Sequence, residues 1–254
     1  MSEVENNWEK RPAEVAFRSI TKRFPPDILA NDRVSFEVKK GTVHALLGEN
    51  GAGKTTLMNI LYGLFSPDEG EIIIRGKSVK ISSPREAINL GIGMIHQHFK
   101  LIPTHAVAEN IVLGLTSIPF FFPAEKAEAE IKSLSEKYGL KVDPRAHVWQ
   151  LSAGEKQKVE ILKALYRKAN ILILDEPTSV LTPQEAEELF ATLRAMKEEG
   201  KTCIFITHKL NEVKEIADAV TVMRKGKVVS TILPSQVSLE ELARMTVGKE
   251  VISV

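Results

Sequence analysis

A glycine-rich loop carries the residues best suited to hold a phosphate group. Residues 48–56 read GENGAGKTT: a glycine, four residues, a second glycine, a lysine and a threonine. This spacing is typical of a loop whose backbone N–H groups surround phosphates. An apolar run at 43–47 precedes the loop, and Leu57, Ile60 and Leu61 follow it at helical spacing. A turn that only joins a strand to a helix is the competing interpretation. The complete pattern between these flanks favours a nucleoside triphosphate site.

Each residue type in the loop indicates a role. Gly48, Gly51 and Gly53 let the backbone approach phosphates without a Cβ in the way. Lys54 is predicted to reach the β and γ phosphates, and the Thr55 hydroxyl is a candidate ligand of Mg²⁺. The predicted nucleotide contacts of the loop are Gly48, Glu49, Asn50, Gly51, Ala52, Gly53, Lys54, Thr55 and Thr56.

Two acids, Asp175 and Glu176, follow a second apolar run at 171–174. A buried strand would deliver both carboxylates to the carboxyl edge of a parallel sheet, where such sheets bind ligands. Asp175 could hold Mg²⁺ through water, and Glu176 could orient or deprotonate an attacking water. A solvated acidic turn is the alternative, but the phosphate loop upstream favours a catalytic site.

A turn at residues 151–157, LSAGEKQ, is predicted to lead into a helix that starts at Glu155. Ser152 is placed as the N-cap of this helix, and its hydroxyl with the free N–H groups forms a second candidate anion site. An ordinary helix cap is the alternative interpretation of this stretch.

Composition limits the partners, the compartment and the membrane topology that the sequence allows. The 254 residues include 34 basic and 33 acidic ones, so no bulk field favours nucleic acid or an anionic membrane. Cys203 is the single cysteine, which excludes an internal disulfide and fits a reducing cytoplasm. No apolar run approaches the roughly 18 residues that a membrane span requires, and no secretory signal is apparent.

Residue patterns near the N-terminus predict antiparallel strands. Alternation at 14–20 and at 34–38 is typical of half-exposed strands, and residues 76–77 are predicted to turn a hairpin. Residues 21–27 are predicted to form a loop, because two prolines follow one another there.

The rest of the chain predicts an α/β fold. Apolar strands at 171–174 and 202–207 alternate with helices, as in a parallel sheet covered on both sides. Strong helix formers between about 103 and 168 predict a smaller helical lobe.

Together, the ordered motifs resemble the ATP-binding cassette (ABC) family over about residues 15–248. Residues 48–55 look like its Walker A loop, 171–176 like Walker B and 151–157 like its signature motif. Gln97 stands where the family has its Q-loop glutamine, which faces the membrane subunit, and His208 stands where it has its switch histidine.

The resemblance implies a fold and a domain plan. The fold is a P-loop NTPase core with a mostly parallel sheet, an N-terminal antiparallel β subdomain and a helical signature subdomain. We expect the ATPase domain at 14–248, with a polar extension at 1–13 and a tail at 249–254.

The resemblance also implies roles for single residues. Two cassettes would close head to tail around two ATP molecules, so the signature turn of one serves the nucleotide of the other. A lone cassette should bind ATP yet hydrolyse it poorly. The implied catalytic residues are Glu176, His208 and Lys54, and the implied Mg²⁺ ligands are Thr55, Gln97 and Asp175. The further implied nucleotide contacts are Phe24 on adenine and, from the signature turn, Ser152, Ala153, Gly154 and Gln157.

Departures from the common family pattern indicate a subgroup. Ala153 and Glu155 alter the signature, and Thr182 replaces an aspartate that helps couple the two sites. With the sequence HQHF at 96–99, the chain resembles the N-terminal cassette of simple-sugar and nucleoside importers. The HQHF sequence favours a nucleoside as the transported compound. In that subgroup one polypeptide usually carries two cassettes, so we expect this chain to be the first half of a tandem protein.

The implied partners are a second cassette, membrane permease subunits and, indirectly, a periplasmic or lipoprotein substrate-binding protein, without nucleic acid. The implied location is peripheral, on the cytoplasmic face of the cell membrane. A soluble ABC ATPase acting on nucleic acid or the ribosome is the alternative, and near-zero net charge argues against it. A metabolite phosphotransferase is a second alternative, but it leaves 151–157 and His208 unexplained.

Overall fold

The computed structural model describes residues 8, 10–115 and 124–248. The strands in this part of the chain are β1 (Ala13–Phe24), β2 (Ile28–Lys39), β3 (Val43–Leu47), β4 (Glu69–Ile74), β5 (Lys77–Val79), β6 (Ile92–Ile95), β7 (Ile171–Asp175), β8 (Thr202–Thr207), β9 (Ala219–Arg224) and β10 (Lys227–Ile232). They form two sheets. Of the predicted extension at 1–13, residues 1–7 and 9 lie outside the described residues, and the tail at 249–254 lies wholly outside them.

Helices cover both sheets. Those in the described ranges are α1 (Lys54–Leu61), α2 (Pro84–Asn89), α3 (Val107–Val112), α4 (Ala124–Lys137), α5 (Ala153–Tyr166), α6 (Pro183–Glu198), α7 (Leu210–Ile216) and α8 (Leu239–Val247). Short 3₁₀ turns occur at Val148–Gln150 and Pro234–Gln236. Among the described helices, none combines the length and the apolar character that a bilayer crossing requires.

The larger sheet has the strand order β10-β9-β3-β8-β7-β6. All pairs in it are parallel except β9 with β10, which form the predicted terminal hairpin. Every residue of β3, β7 and β8 is buried, as expected of parallel strands covered on both faces. The order brings the carboxyl ends of β3, β8 and β7 side by side.

The smaller sheet is antiparallel, with the order β2-β1-β4-β5. Its inner face and α1 share one hydrophobic cluster with one side of the larger sheet, including Phe17, Met58 and Ile173. The helices α3, α4 and α5 contribute Ile111, Ile131 and other residues to the cluster on the opposite side. The predicted α/β core with an antiparallel sheet and a helical region is therefore confirmed.

Three details of the sequence prediction were wrong. Strand β1 continues through 21–24 as far as Phe24, which pairs with Ile28, because the two prolines occupy only the tight turn at 25–27. The hairpin between β4 and β5 turns at 75–76, one residue earlier than expected. Helix α5 begins at Ala153, because Ser152 caps it directly.

Candidate active site

The phosphate loop follows β3 and leads into α1, as the sequence predicts. Gly51 and Gly53 have φ of 82° and 95°, in the left-handed region that favours glycine. A Cβ on Gly53 would lie 2.2 Å from the Ala30 carbonyl oxygen. The loop thus packs so closely on β2 that no larger residue fits at this position.

Lys54 folds back over the loop that precedes it. Its Nζ donates hydrogen bonds to the carbonyl oxygens of Gly48 at 2.7 Å and Glu49 at 2.9 Å. Burial lowers the pKa of the Lys54 ammonium, and the nearby Glu176 and Asp175 carboxylates act in the opposite direction. The lysine therefore places a positive charge inside the loop, within the field of both acids.

Asp175 is the last residue of β7 and is almost fully buried. Its Oδ1 accepts a hydrogen bond from the Thr55 hydroxyl at 3.3 Å. Burial raises the pKa of the Asp175 carboxyl, whereas the Thr55 hydrogen bond lowers it. The structure thus brings together two of the three oxygen donors predicted for Mg²⁺.

Glu176 lies at the centre of the site, one residue beyond β7. One carboxylate oxygen accepts from Gln97 Nε2 at 3.3 Å, and the other lies 3.1 Å from His208 Nδ1. Its backbone has φ of 47°, unusual for a residue with a Cβ, and its N–H donates to the Ile206 carbonyl oxygen at 3.1 Å. The last residues of β8 therefore fix the backbone that aims this carboxylate.

These three side chains come from the ends of β6, β7 and β8. Their meeting is a consequence of strand order, since β7 lies between β6 and β8. A carboxylate held by an amide and an imidazole is suited to orient water and to pass a proton. The candidate catalytic pair Glu176 and His208 is thus in contact, beside the phosphate loop.

Comparisons with known proteins give the same identification as the motifs. The sequence matches the ABC transporter family over residues 31–179. This chain belongs to the ABC transporter family. The nucleoside import ATP-binding protein NupA of Lactococcus lactis is 52% identical, over 91% of this chain and 46% of NupA. The glucose import ATP-binding protein TsgD13 of Haloferax volcanii is 47% identical, over 92% of this chain and 48% of TsgD13. The chain thus spans about half the length of both relatives.

A solved structure supports the fold of this ABC-family chain. The dimeric structure of MJ0796, a bacterial ABC transporter cassette, has a TM-score of 0.76 and is 26% identical in sequence. The likeness covers 87% of this chain and 98% of that chain. The predicted family fold is therefore confirmed.

The signature turn of this ABC-family chain forms a capping box. Ser152 Oγ accepts from the Glu155 N–H at 3.2 Å, and Glu155 Oε2 accepts from the Ser152 N–H at 2.8 Å. Gly154 is buried, whereas Ala153 is half-buried. Within the described part of the chain, no hydrogen bond joins this turn to the phosphate loop. The predicted N-cap is confirmed, and the predicted phosphate contact remains a prediction.

Two other predicted nucleotide contacts, Gln157 and Phe24, have side chains that are buried or half-buried. Gln157 is 3% exposed, so its amide would have to turn outward to meet a nucleotide. Phe24 is half-buried at the end of β1, where its ring meets Phe65 edge-on at 5.2 Å and Lys22 Nζ lies 5.4 Å from its centroid. Both assignments remain predictions.

Sequence reasoning missed two residues that hold the site in place. Asn31 on β2 is fully buried and donates from Nδ2 to the Gly53 carbonyl oxygen at 3.1 Å. Glu212 on α7 accepts from the Thr178 and Thr207 hydroxyls at 2.6 and 2.7 Å. An asparagine at an inward position of a strand could have revealed the first. The second lay in a helix that the sequence pattern did not predict.

Proposed function

We propose that this chain binds and hydrolyses ATP to power import of a nucleoside or simple sugar through a membrane permease. The observation that carries the proposal is Glu176, held between Gln97 and His208 beside the phosphate loop. The 52% identity to a nucleoside importer's ATP-binding protein, against 47% to a glucose importer's, favours a nucleoside.

The phosphate loop supplies most of the proposed contacts with ATP. Lys54, now bound to the carbonyl oxygens of Gly48 and Glu49, exchanges these weaker acceptors for the β and γ phosphates. Backbone N–H groups of residues 50–55 surround the phosphates, at the positive end of the α1 dipole. The ring of Phe24 offers its face to adenine.

Thr55, Gln97 and Asp175 are the proposed Mg²⁺ ligands. Groups of three or more His, Cys, Asp or Glu side chains that could hold a metal do not occur in the described residues. A hydroxyl, an amide oxygen and one carboxylate instead suit Mg²⁺, which proteins bind through few carboxylates together with substrate phosphates. When bound, Mg²⁺ would neutralise charge on the phosphate oxygens.

Glu176 and His208 perform the hydrolytic step. Glu176 orients a water molecule and takes its proton while the water oxygen attacks the γ phosphorus. The bond from the γ phosphorus to the oxygen of the leaving ADP breaks, and Lys54 balances its charge. His208 donates to the γ phosphate and, through its contact with Glu176, keeps the carboxylate aligned.

A second cassette completes each site. Ser152, Ala153 and Gly154 then serve the nucleotide held by the phosphate loop of the partner. Val180, in the loop before α6, is 54% exposed and gives this face a large apolar side chain to bury. The dimeric cassette structure of similar fold supports this arrangement. ATP closes the pair, and hydrolysis reopens it.

A cationic groove next to Gln97 is the proposed contact with the permease. Lys100, Lys163 and Arg167 line it together with a single acid, Glu160, whose carboxylate already accepts the Lys100 N–H at 2.6 Å. Burial lowers the pKa of the Lys163 ammonium, so a carboxylate from a partner would stabilise its charged form. The groove therefore fits a permease segment with an acidic side chain, on the cytoplasmic face of the membrane. A substrate-binding protein would act on the other face, without contact.

Charge reversal tests the groove. Lys163→Glu should abolish copurification with the permease while ATP binding by the isolated chain stays unchanged, because Lys163 lies outside the phosphate loop. Lys132→Glu, on the exposed side of α4, is the matched control. Undiminished copurification of the Lys163 variant would assign the contact to another surface.

Glu176→Gln tests the catalytic assignment, since glutamine keeps the shape but cannot take a proton. Steady-state phosphate release should fall at least about 100-fold, and size-exclusion chromatography with ATP should show a stable closed pair. Glu187→Gln, on the exposed side of α6, is the control. Undiminished hydrolysis in the Glu176 variant would refute the assignment.

A further inference from the structure

We propose that Glu185 is a positioning residue that couples the signature turn to the loop ending at Thr182, and thereby sets the rate of ATP hydrolysis. The inference rests on the proposed function, because the signature turn is taken to serve the nucleotide of a second cassette. Glu185 belongs to none of the motifs that identify the family. Its role follows from where its two carboxylate oxygens lie.

One oxygen of Glu185 closes the loop before α6. Oε2 accepts from the Thr182 backbone N–H at 2.9 Å and from the Thr182 hydroxyl at 3.0 Å. The Thr182 hydroxyl oxygen in turn accepts from the Glu185 backbone N–H at 3.3 Å. These three bonds fix the N-terminus of α6, so the carboxylate cannot move without disturbing Thr182.

The other oxygen of Glu185 packs on the signature turn. A Cβ on Gly154 would lie 2.3 Å from Oε1 and 2.7 Å from Cδ of Glu185, distances that real Cβ atoms do not adopt. A methyl group at position 154 would therefore displace the Glu185 carboxylate from its present place. The two helix N-termini converge on one side chain.

Residues of both helices also belong to one hydrophobic cluster, and a second polar link between them lies further from the turn. Lys158 Nζ on α5 pairs with the Glu188 carboxylate on α6 at 2.8 Å, and that carboxylate is 49% exposed. An exposed ion pair contributes little to rigidity. Glu185, half-buried and in contact with both turns, is therefore the side chain through which a shift of one turn reaches the other.

A double-mutant cycle tests the coupling. Gly154→Ala should push the Glu185 carboxylate off Thr182 and lower the kcat for ATP hydrolysis by about 10- to 100-fold, the range expected from displacements of about 1 Å. Glu185→Ala should lower kcat less, and the double variant should be faster than Gly154→Ala alone, because the obstructing carboxylate is gone. ATP affinity of the isolated chain, measured by equilibrium binding, should not change in any of them.

Controls separate positioning from other roles. Glu185→Gln keeps an oxygen for Thr182 and should retain kcat within about threefold, while Glu188→Ala should match the wild type. Thermal melts check that each variant folds. If the Gly154 and Glu185 effects multiply, or if Glu185→Gln is as slow as Glu185→Ala, the inference is wrong. Loss of the closed pair in the Glu176→Gln test would instead indicate failure of the proposed function.

Discussion

Glu212 provides a test of how the structure holds Glu176 and His208, the proposed catalytic residues. This nearly buried carboxylate joins Thr178, two residues after Glu176, to Thr207, the residue before His208. Lys209 Nζ lies 3.1 Å from the same carboxylate. Glu212→Ala would remove the shared acceptor of two buried hydroxyls and separate the loop after Glu176 from the end of β8.

The expected loss in the free energy of unfolding for Glu212→Ala follows from these contacts. A hydrogen bond to a charged acceptor contributes about 1.5–3 kcal/mol, and Glu212 accepts two from buried threonines. The Lys209 pair adds little, because the lysine side chain is 43% exposed. Glu212 itself is 9% exposed, so water can enter and recover part of the loss. We therefore expect the free energy of unfolding to fall by about 3 kcal/mol, the lower bound for two such bonds.

Thermal unfolding and phosphate release measure the two consequences. For a chain of this size, about 3 kcal/mol corresponds to a melting temperature lower by about 6–12 °C. Hydrolysis measured well below that temperature should fall at least about tenfold, because Glu176 and His208 are no longer held in register. Glu215→Ala, on the same helix but 47% exposed, should change neither quantity. A Glu212→Ala variant that melts within about 4 °C of the wild type would refute the reasoning.

Two further predictions concern a buried histidine and the loop before α6. Burial lowers the pKa of His44 to about 3, whereas an unfolded histidine titrates near pH 6.5. Below pH 6.5 the unfolded chain binds the extra proton, so the free energy of unfolding should fall by about 1.4 kcal/mol per pH unit, or about 2 kcal/mol at pH 5. His44→Gln should flatten this slope in urea unfolding, and an unchanged slope would contradict the assignment. Thr182→Asp should slow hydrolysis by placing a second carboxylate against Glu185 Oε2, and adding Glu185→Gln should restore the rate; absence of rescue would show that the two side chains do not interact.

Sequence patterns predicted the parts of the fold that depend on local chemistry. The buried strands β3, β7 and β8 are mostly apolar runs, and Ser152 was recognised as the cap of α5 although the helix was expected to start at Glu155. The extension of β1 to Phe24 was not predictable in this way, because its partner residues on β2 provide the pairing and β-propensity is weak on its own. Helix α7, seven residues long, has too few turns to show a period.

The residues of the candidate site also fall into those that the sequence predicts and those that only the structure reveals. Motif spacing identified Lys54, Thr55, Asp175 and Glu176, because each needs a fixed distance along the chain from a strand end. The residues that hold the phosphate loop and the loops after β7 and β8 are Asn31 and Glu212, which lie outside the motifs and carry no spacing signal. Only the topology places these residues beside the motifs, since a long-range contact leaves no trace in a single sequence.

Under the proposed function, one chain provides two half-sites, the group around Glu176 and the signature turn. The group around Glu176 is fixed by contacts within the chain, through Ile206, Gln97 and His208, so its geometry exists before any partner arrives. The signature turn is held within the chain by its own capping box and by the packing of Glu185 against Gly154, and it has no described hydrogen bond to the phosphate loop. When two cassettes pair, such preformed half-sites would only have to approach each other across the interface between the cassettes. The rate of hydrolysis should therefore depend on pairing and on the Gly154–Glu185 contact, while ATP affinity should depend on the phosphate loop, Phe24 and the proposed Mg²⁺ ligands of the same chain.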